Sequence, residues 1–182
     1  HRTIHTITRR PCCACHRVNG AGLWICLTVH PSLMPSSDQP LPVTSKPNKT
    51  MRVLPLAGSH DRKGFDCGRP ELNDWLAKIA KQHQDKGLSK TFVVIDEANP
   101  SVICAYYALT LTEIDSSLMP ADKRSKFPRR IPGVRLARLA VSLSHQKKGV
   151  GELLLVNALE RAKRIHTEAG GIGLFVDAID EH

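Results

Sequence analysis

The residues with the clearest chemical potential form a short glycine-rich stretch, Gln146-Lys147-Lys148-Gly149-Val150-Gly151. It follows a strand-like run that includes Val141 and leads directly into a helical pattern. Glycines in such a turn let the backbone approach a ligand closely, and the first N–H groups of a helix have no intrahelical partner. Because the helix dipole and the two lysines add positive charge, the stretch predicts a diphosphate site.

This glycine-rich stretch differs from two common phosphate-binding motifs. The P-loop spacing Gly-x-x-x-x-Gly-Lys-Ser/Thr is absent, and so is the dinucleotide fingerprint Gly-x-Gly-x-x-Gly. Taken alone, the six residues also fit a tight strand-to-helix turn that needs glycine for its geometry. The order of the surrounding elements favours phosphate binding over that alternative.

A second group of chemically capable residues lies near the start of the chain. The spacings of four residues are compatible with a tetrahedral zinc site: Cys12, Cys15, Cys26 and His30. The segment between them lacks the hairpin and helix of a zinc finger, so a cluster of free cysteines is favoured. A signal peptide, with Arg9 and Arg10 before the apolar residues 21–29, is another alternative, but no clean cleavage site of small residues follows.

Composition divides the chain of 182 residues at Met51. Residues 1–50 hold six of the 12 prolines, and their single acidic residue is Asp38, so we expect a disordered or adventitious extension. Residues 51–182 are predicted to form one folded domain. The net charge of +9 favours anionic partners such as nucleotides or RNA. No apolar run reaches the ~18 residues of a membrane span, which predicts no membrane partner.

The hydrophobic periodicity from Met51 onward predicts an α/β fold. Helices are expected from Pro70 to about Gly87 and from Val150 to about Ala169. The predicted strands are residues 52–57, 91–95, 102–110, 134–143 and 172–179. Residues 115–133 break the pattern and are expected to form a basic loop. This order of elements predicts a mixed β-sheet flanked by helices.

Residues 51–182 resemble the GCN5-related N-acetyltransferases (GNAT), whose signature Gln/Arg-x-x-Gly-x-Gly/Ala follows a strand. Within that family, the chain is similar to the TacT/AtaT-type toxins of bacterial toxin–antitoxin pairs. Besides the glycine-rich stretch, five segments carry the resemblance: residues 65–68, 72–76, 90–94, 105–109 and 136–141.

The resemblance implies acetyl transfer from acetyl-CoA to a primary amine, which in this branch is the α-amino group of an aminoacyl-tRNA. By position, the backbone of Leu139, Ala140 and Val141 would pair with the pantetheine arm, and one of their N–H groups would polarise the thioester. The pyrophosphate would be held by six residues: Gln146, Lys147, Lys148, Gly149, Val150 and Gly151. Implied partners are a ribbon-helix-helix antitoxin and a second copy of the chain. The separated Cys67 and Cys104 favour a reducing cytoplasm.

The family's proton donor has no counterpart in this sequence. That donor is a tyrosine on a helix after the fifth strand, and the sequence stops at His182, where this helix would begin. We therefore expect a GNAT domain that lacks its C-terminal helix and closing strands, with reduced activity and no assigned catalytic residue. Tyr106 and Tyr107 lie on an earlier strand and are expected to form core and site wall.

Four arginines are candidates for contact with the RNA backbone: Arg129, Arg130, Arg135 and Arg138. The alternative is an ordinary solvated surface. Two other functions stay open at this point. One is a GNAT that acetylates a protein or a small amine, and the other is a non-catalytic remnant that binds CoA or an antitoxin.

Overall fold

The computed structural model describes residues 24–27, 51–118, 124–171 and 173–177. Within them, six strands form one sheet: β1 (Trp24–Leu27), β2 (Met51–Pro55), β3 (Lys90–Asp96), β4 (Asn99–Asp115), β5 (Arg130–Val141) and β6 (Leu174–Asp177). Their order across the sheet is β1-β6-β5-β4-β3-β2. Neighbouring strands are antiparallel except β5 and β6, which are parallel. The predicted mixed sheet is confirmed.

Two helices cover the two faces of this sheet. Helix α1 follows β2 and has a π-helical middle: it is α-helical over Pro70–Asp74, π-helical over Trp75–Ile79 and α-helical again over Ala80–Asp85. Helix α2 is Val150–Ala169, between β5 and β6. Pro70 begins α1 because its missing N–H leaves no bond unmade in the first turn.

Each helix has its own buried core. The core under α1 includes Trp75, Leu76 and Ala80, which pack against sheet residues such as Val93 and Tyr106. The core under α2 is built from its buried side chains and the opposite face of the sheet, including Leu154, Ala158, Ala162, Phe92, Tyr107 and Leu136. Alternation along the strands therefore sends neighbouring residues such as Tyr106 and Tyr107 into different cores.

The predicted order of elements from Met51 onward is confirmed, but the predicted loop 115–133 is too long. Strand β4 continues to Asp115, and β5 begins at Arg130, opposite Asp115. Pro132 lies inside β5, where the sequence pattern suggested a break. Since β6 pairs only with residues 134–136, this part of β5 has one partner strand, and such edge positions tolerate proline.

The segment 1–50 contains one element that the sequence analysis did not expect. Strand β1 pairs antiparallel with β6, from Trp24 opposite Asp177 to Leu27 opposite Leu174. The candidate zinc residues Cys12, Cys15 and His30 lie outside the described residues. So does part of the last predicted strand, because β6 is described only as far as Asp177.

Two further expectations from the sequence concern the state of the cysteines and the presence of membrane-spanning helices. Cys67 and Cys104 are buried free thiols. Among the described helices, neither α1 nor α2 combines the length and apolar character needed to cross a bilayer.

Candidate functional site

The described pairing between the parallel strands β5 and β6 covers only part of β5. They pair only from Val134 to Leu136 of β5, whereas β5 continues to Val141. On its other side, β5 stays paired with β4 up to Val141, with one irregularity: Ala108 faces Arg138, and the next residue of β4 faces Leu136. Ala137 is thus the extra residue of a β-bulge, which bends and twists a strand.

Over the residues predicted to hold a pantetheine arm, Leu139, Ala140 and Val141, β5 has no described partner in β6, and we call this stretch the opening between β5 and β6. Within the described residues, β6 has no register partner beyond Leu136 of β5. An unpaired strand edge presents N–H and C=O groups that an extended amide chain can pair with. Pantetheine is such a chain, because it carries two amides.

The loop after β5 has an unusual backbone at two neighbouring positions. Lys147 is the one non-glycine residue with a positive φ in the described ranges, at 60°, and Gly149 has φ 79°. Gly149 is the residue before the first turn of α2. Left-handed residues here turn the chain sharply so that the free N–H groups of the helix start face the loop. The geometry is that of an anion site at the N-terminus of a helix of 20 residues.

Side chains of this loop bond mostly to the loop itself. The Lys148 Nζ donates to the Ser144 carbonyl at 2.8 Å. His145 is half-buried, and its Nδ1 lies 2.8 Å from the Ser142 hydroxyl and 2.9 Å from that of Ser144. Lys147 and Lys148 are exposed. His145 is therefore part of the loop framework.

Gln146 holds the loop against the rest of the domain. Its Nε2 donates to the Val141 carbonyl at 3.0 Å and to the Cys67 carbonyl at 3.1 Å. The side-chain N–H groups of Gln146 are thus engaged with protein carbonyls, and the open donors of this region are backbone N–H groups of the loop and of the α2 start.

Tyr106 and Tyr107 lie on opposite faces of the sheet, and each stacks on another aromatic ring. Tyr106 stacks on Trp75 with ring centroids 5.9 Å apart, and Tyr107 stacks on Phe92 at 5.1 Å. An arginine covers each partner ring: the Cζ of Arg138 is 4.4 Å from the Trp75 centroid, and that of Arg161 is 3.8 Å from the Phe92 centroid. The expectation that both tyrosines belong to the core is confirmed.

Both tyrosine hydroxyls have partners inside the cores. Tyr106 donates to the Leu72 carbonyl at 2.8 Å, just before the π-helical part of α1, and Tyr107 donates to the Oδ1 of Asn157 at 2.7 Å. Burial raises the pKa of Tyr106 far above its usual value and that of Tyr107 to about 12. Neither hydroxyl lines the opening between β5 and β6.

A Tyr106→Phe variant should therefore lose stability without losing catalytic function. The substitution removes the hydrogen bond that the Leu72 carbonyl accepts from the buried tyrosine hydroxyl. We therefore expect the free energy of unfolding to fall by about 1–2 kcal/mol. Urea unfolding measures this loss. For the acetyl transfer that the resemblance implies, the rate at saturating substrates should stay within twofold, and a loss of tenfold or more would make Tyr106 a proton donor.

The four arginines proposed to contact RNA do not lie together. Arg129 and Arg130 are exposed at the start of β5 and pair with Asp115 at 3.5 Å and Glu113 at 3.4 Å, respectively. At about 3.3 Å per residue, they are roughly 35 Å along the strand from Val141. Contact between this pair and a tRNA would thus occur far from the reacting amine.

Arg135 and Arg138 lie nearer to the opening. Arg135 is half-buried between Val134 and Leu136, whose side chains belong to the α2 core, so alternation places it on the α1 face. Arg138 is on the same face, with its guanidinium over Trp75. Both side chains are therefore held in part by the protein itself.

One described cleft lies away from the opening between β5 and β6. It has a volume of about 570 Å³ and lies beside the C-terminal half of α2, where Arg161 and Arg164 face the exposed Leu111. It contains none of the residues predicted to bind acetyl-CoA or RNA. The described residues also include no group of three or more His, Cys, Asp or Glu side chains that could hold a metal ion.

A mixed sheet, with a loop of left-handed residues between β5 and the N-terminus of the next helix, is the arrangement expected of the GNAT fold. No protein-family model matches the chain. A curated relative, the tRNA-acetylating toxin of Mycobacterium tuberculosis (strain ATCC 25618 / H37Rv), is 28% identical over 126 residues, which cover 69% of this chain and 74% of the relative.

Solved structures show the same similarity. A crystal structure of a tyrosine-to-phenylalanine mutant of KacT matches with a TM-score of 0.69 and 28% identity, over 73% of this chain and 81% of that one. AtaT complexed with acetyl-methionyl-tRNAfMet matches with a TM-score of 0.68 and 26% identity, over 72% and 79%. The chain is thus similar to GNAT-type toxins in sequence and in fold, as its motifs predicted.

Proposed function

We propose that this protein transfers the acetyl group of acetyl-CoA to the α-amino group of an aminoacyl-tRNA. The observation that carries the proposal is the left-handed loop at the start of α2, which directly follows the part of β5 that has no described β6 partner. The edge offers backbone partners to the pantetheine arm, and the loop offers N–H groups to the pyrophosphate. The similarity to a tRNA-acetylating toxin and to AtaT with its acetylated tRNA supports the choice of acceptor.

In this reaction, the neutral amine nitrogen attacks the thioester carbonyl carbon, the carbon–sulfur bond breaks, the nitrogen releases one proton to solvent, and the leaving thiolate takes up one proton from a donor. A backbone N–H in the stretch from Leu139 to Val141 would stabilise the oxyanion that forms. An α-amino group has a pKa near ~8, so an appreciable fraction is neutral and nucleophilic at pH 7. The proton for the thiolate is assigned to no side chain of the described residues.

The direct test is single-turnover transfer of labelled acetyl from acetyl-CoA to charged tRNA. We expect labelled acetyl-aminoacyl-tRNA, at a rate that rises with pH toward the pKa of the amine. Transfer to lysine-containing peptides or small amines in preference to tRNA would replace the proposed acceptor. Binding of CoA with no transfer to any amine would indicate the non-catalytic remnant.

We propose that Arg129 and Arg130 contribute phosphate contacts to the tRNA. In an Arg129→Ala/Arg130→Ala double variant, the slope of log affinity against log salt should fall by about 1.4–1.8, since each phosphate contact contributes roughly 0.7–0.9. Filter binding across a salt series measures the slope. An Arg52→Ala variant is the control, because Arg52 is an exposed, ion-paired arginine at the other edge of the sheet. Equal slopes for all three proteins would exclude these contacts.

We also propose that residues 51–182 carry the binding site without the preceding segment. Strand β1 pairs with β6, and it lies on the side of β6 that faces away from β5. A chain that starts at Met51 should bind CoA within about threefold of the full chain, measured by calorimetry. Stoichiometric zinc in the full chain, together with loss of CoA binding on chelation, would contradict this independence.

Further partners rest on the resemblance to the toxin branch. We infer a ribbon-helix-helix antitoxin, a homodimeric state and a cytoplasmic location. The basic composition fits an acidic partner segment, and two buried free thiols fit a reducing compartment. Co-expression with the neighbouring antitoxin gene product, followed by size-exclusion chromatography, tests the first two.

A further inference from the structure

A compact hydrogen-bond network surrounds Asn73, in the first turn of α1. The Asn73 Oδ1 accepts from the Cys67 N–H at 3.0 Å and from the Cys67 thiol at 3.1 Å. The Asn73 Nδ2 donates to the Asp66 Oδ1 at 2.8 Å, and the Gly68 N–H donates to the same oxygen at 2.8 Å. Asn73 thus fixes the turn that residues 66–68 form ahead of the helix.

The chemistry of the partners sets the orientation of this amide. The Cys67 backbone N–H can only donate, and the Asp66 carboxylate can only accept when ionised. Hydrogen bonds from Gly68 and then from Asn73 hold the pKa of Asp66 below its usual value, so the carboxylate is ionised at neutral pH. An asparagine satisfies both neighbours, whereas an aspartate would oppose Asp66 with a like charge.

The same turn is bonded to the loop that precedes α2. The Cys67 carbonyl accepts from the Gln146 Nε2 at 3.1 Å, and the Asp66 carbonyl accepts from the Leu143 N–H at 2.9 Å. These bonds join the region before α1 to a loop almost eighty residues later in the sequence. They hold the first half of that loop, immediately before the left-handed Lys147.

We propose that Asn73 is a positioning residue for the phosphate-binding loop, which it holds through Cys67 and Gln146. The proposal rests on the proposed function, because it concerns the same acetyl-CoA site. Asn73 itself contacts neither the loop nor the opening at β5. Its effect on a ligand must therefore pass through the main chain of residues 66–68, and it should be confined to the part of CoA that the loop binds.

The test compares two ligands that differ in their phosphates, CoA and pantetheine. In an Asn73→Ala variant, the Cys67 N–H and the Asp66 carboxylate lose a partner, and the loop loses its fixed support. We expect CoA to bind about tenfold more weakly, as for the loss of one buried hydrogen-bonding group. Pantetheine, which lacks the pyrophosphate and nucleotide, should bind within twofold of the unaltered protein, as measured by ligand-observed NMR.

The matched control is Asp74→Ala, the next residue of the same helical turn. Asp74 is exposed and pairs with Lys78 at 2.9 Å, so this change should leave both affinities unaltered. Asp66→Ala is a second variant that removes an exposed side chain of the network and keeps the helix sequence intact. It should weaken CoA binding in the same selective way, even if Asn73→Ala does not fold.

The outcomes separate this inference from the proposed function. No binding of CoA by the unaltered protein would contradict the proposed function. Binding of CoA by the unaltered protein, with equal affinity in the Asn73→Ala and Asp66→Ala variants, would contradict the positioning role alone. An equal loss of CoA and pantetheine affinity would also contradict it, because that result indicates a general structural role.

Discussion

A Gly149→Val variant should bind CoA at least about a hundredfold more weakly than the unaltered protein. Gly149 has φ 79°, and a β-branched residue in that conformation is strained by about 1–3 kcal/mol. The new side chain would also stand at the start of α2, where the pyrophosphate is proposed to bind. Relief of the strain would rotate the N–H groups of the loop away from the ligand. Isothermal titration with CoA measures the loss.

Gly170→Val is the matched control for this variant. Gly170 is at the other end of α2, has φ 80°, and leaves open space where a side chain would be added. Because its ψ of −161° lies in a region that only glycine adopts readily, whereas that of Gly149 is 0°, the Gly170 variant should lose at least as much stability and keep its affinity for CoA. If both variants lost CoA binding equally, the effect of Gly149→Val would reflect a damaged helix, and the loop would not be the phosphate site.

A Gly133→Ala variant should lose more stability than a Gly58→Ala variant, in which the added methyl group has open space. A methyl group at Gly133 would overlap the ring of Phe175, which packs directly on the glycine from β6. Inserting a methyl group into such a contact costs about 1–3 kcal/mol. The cost should be near the upper limit, because Phe175 is itself buried. Chemical denaturation measures the change.

Two variants check the cause of this loss. Gly58→Ala adds a methyl group where no atom lies within 4 Å, so it should leave stability nearly unchanged. In a Phe175→Leu background, Gly133→Ala should cost less than it does alone, because the smaller side chain leaves room. Equal costs in the two backgrounds would show that the ring is not what the methyl group meets.

The sequence predicted those parts of the molecule that depend on local patterns. The apolar stripe around Trp75 and Leu76 predicted α1, and the glycines before Val150 predicted the start of α2. Both predictions hold because helix starts and amphipathic faces are encoded within a few residues. The GNAT resemblance added the order of elements and the place of the loop.

The features that were missed depend on long-range pairing. Strand β5 begins at Arg130 because it pairs with the far half of β4, although Pro132 argued locally for a loop. The support of the loop by Gln146 joins it to Cys67, a residue distant in the sequence. Segments 65–68 and 72–76 carried the resemblance without an assigned role, and their hydrogen bonds give them one.

The proposed pairing of a ligand with β5 also has a thermodynamic consequence. Within the described residues, β6 pairs with β5 only as far as Leu136, and β5 carries further backbone N–H and C=O groups up to Val141 that need partners. A ligand that pairs there acts as a temporary strand, and because it binds the folded chain alone, its binding adds to the free energy of unfolding. At a hundred times its Kd, that addition is about 2.7 kcal/mol. Under the proposed function, the supply of acetyl-CoA would therefore affect how stably this protein is folded, as well as its rate of turnover.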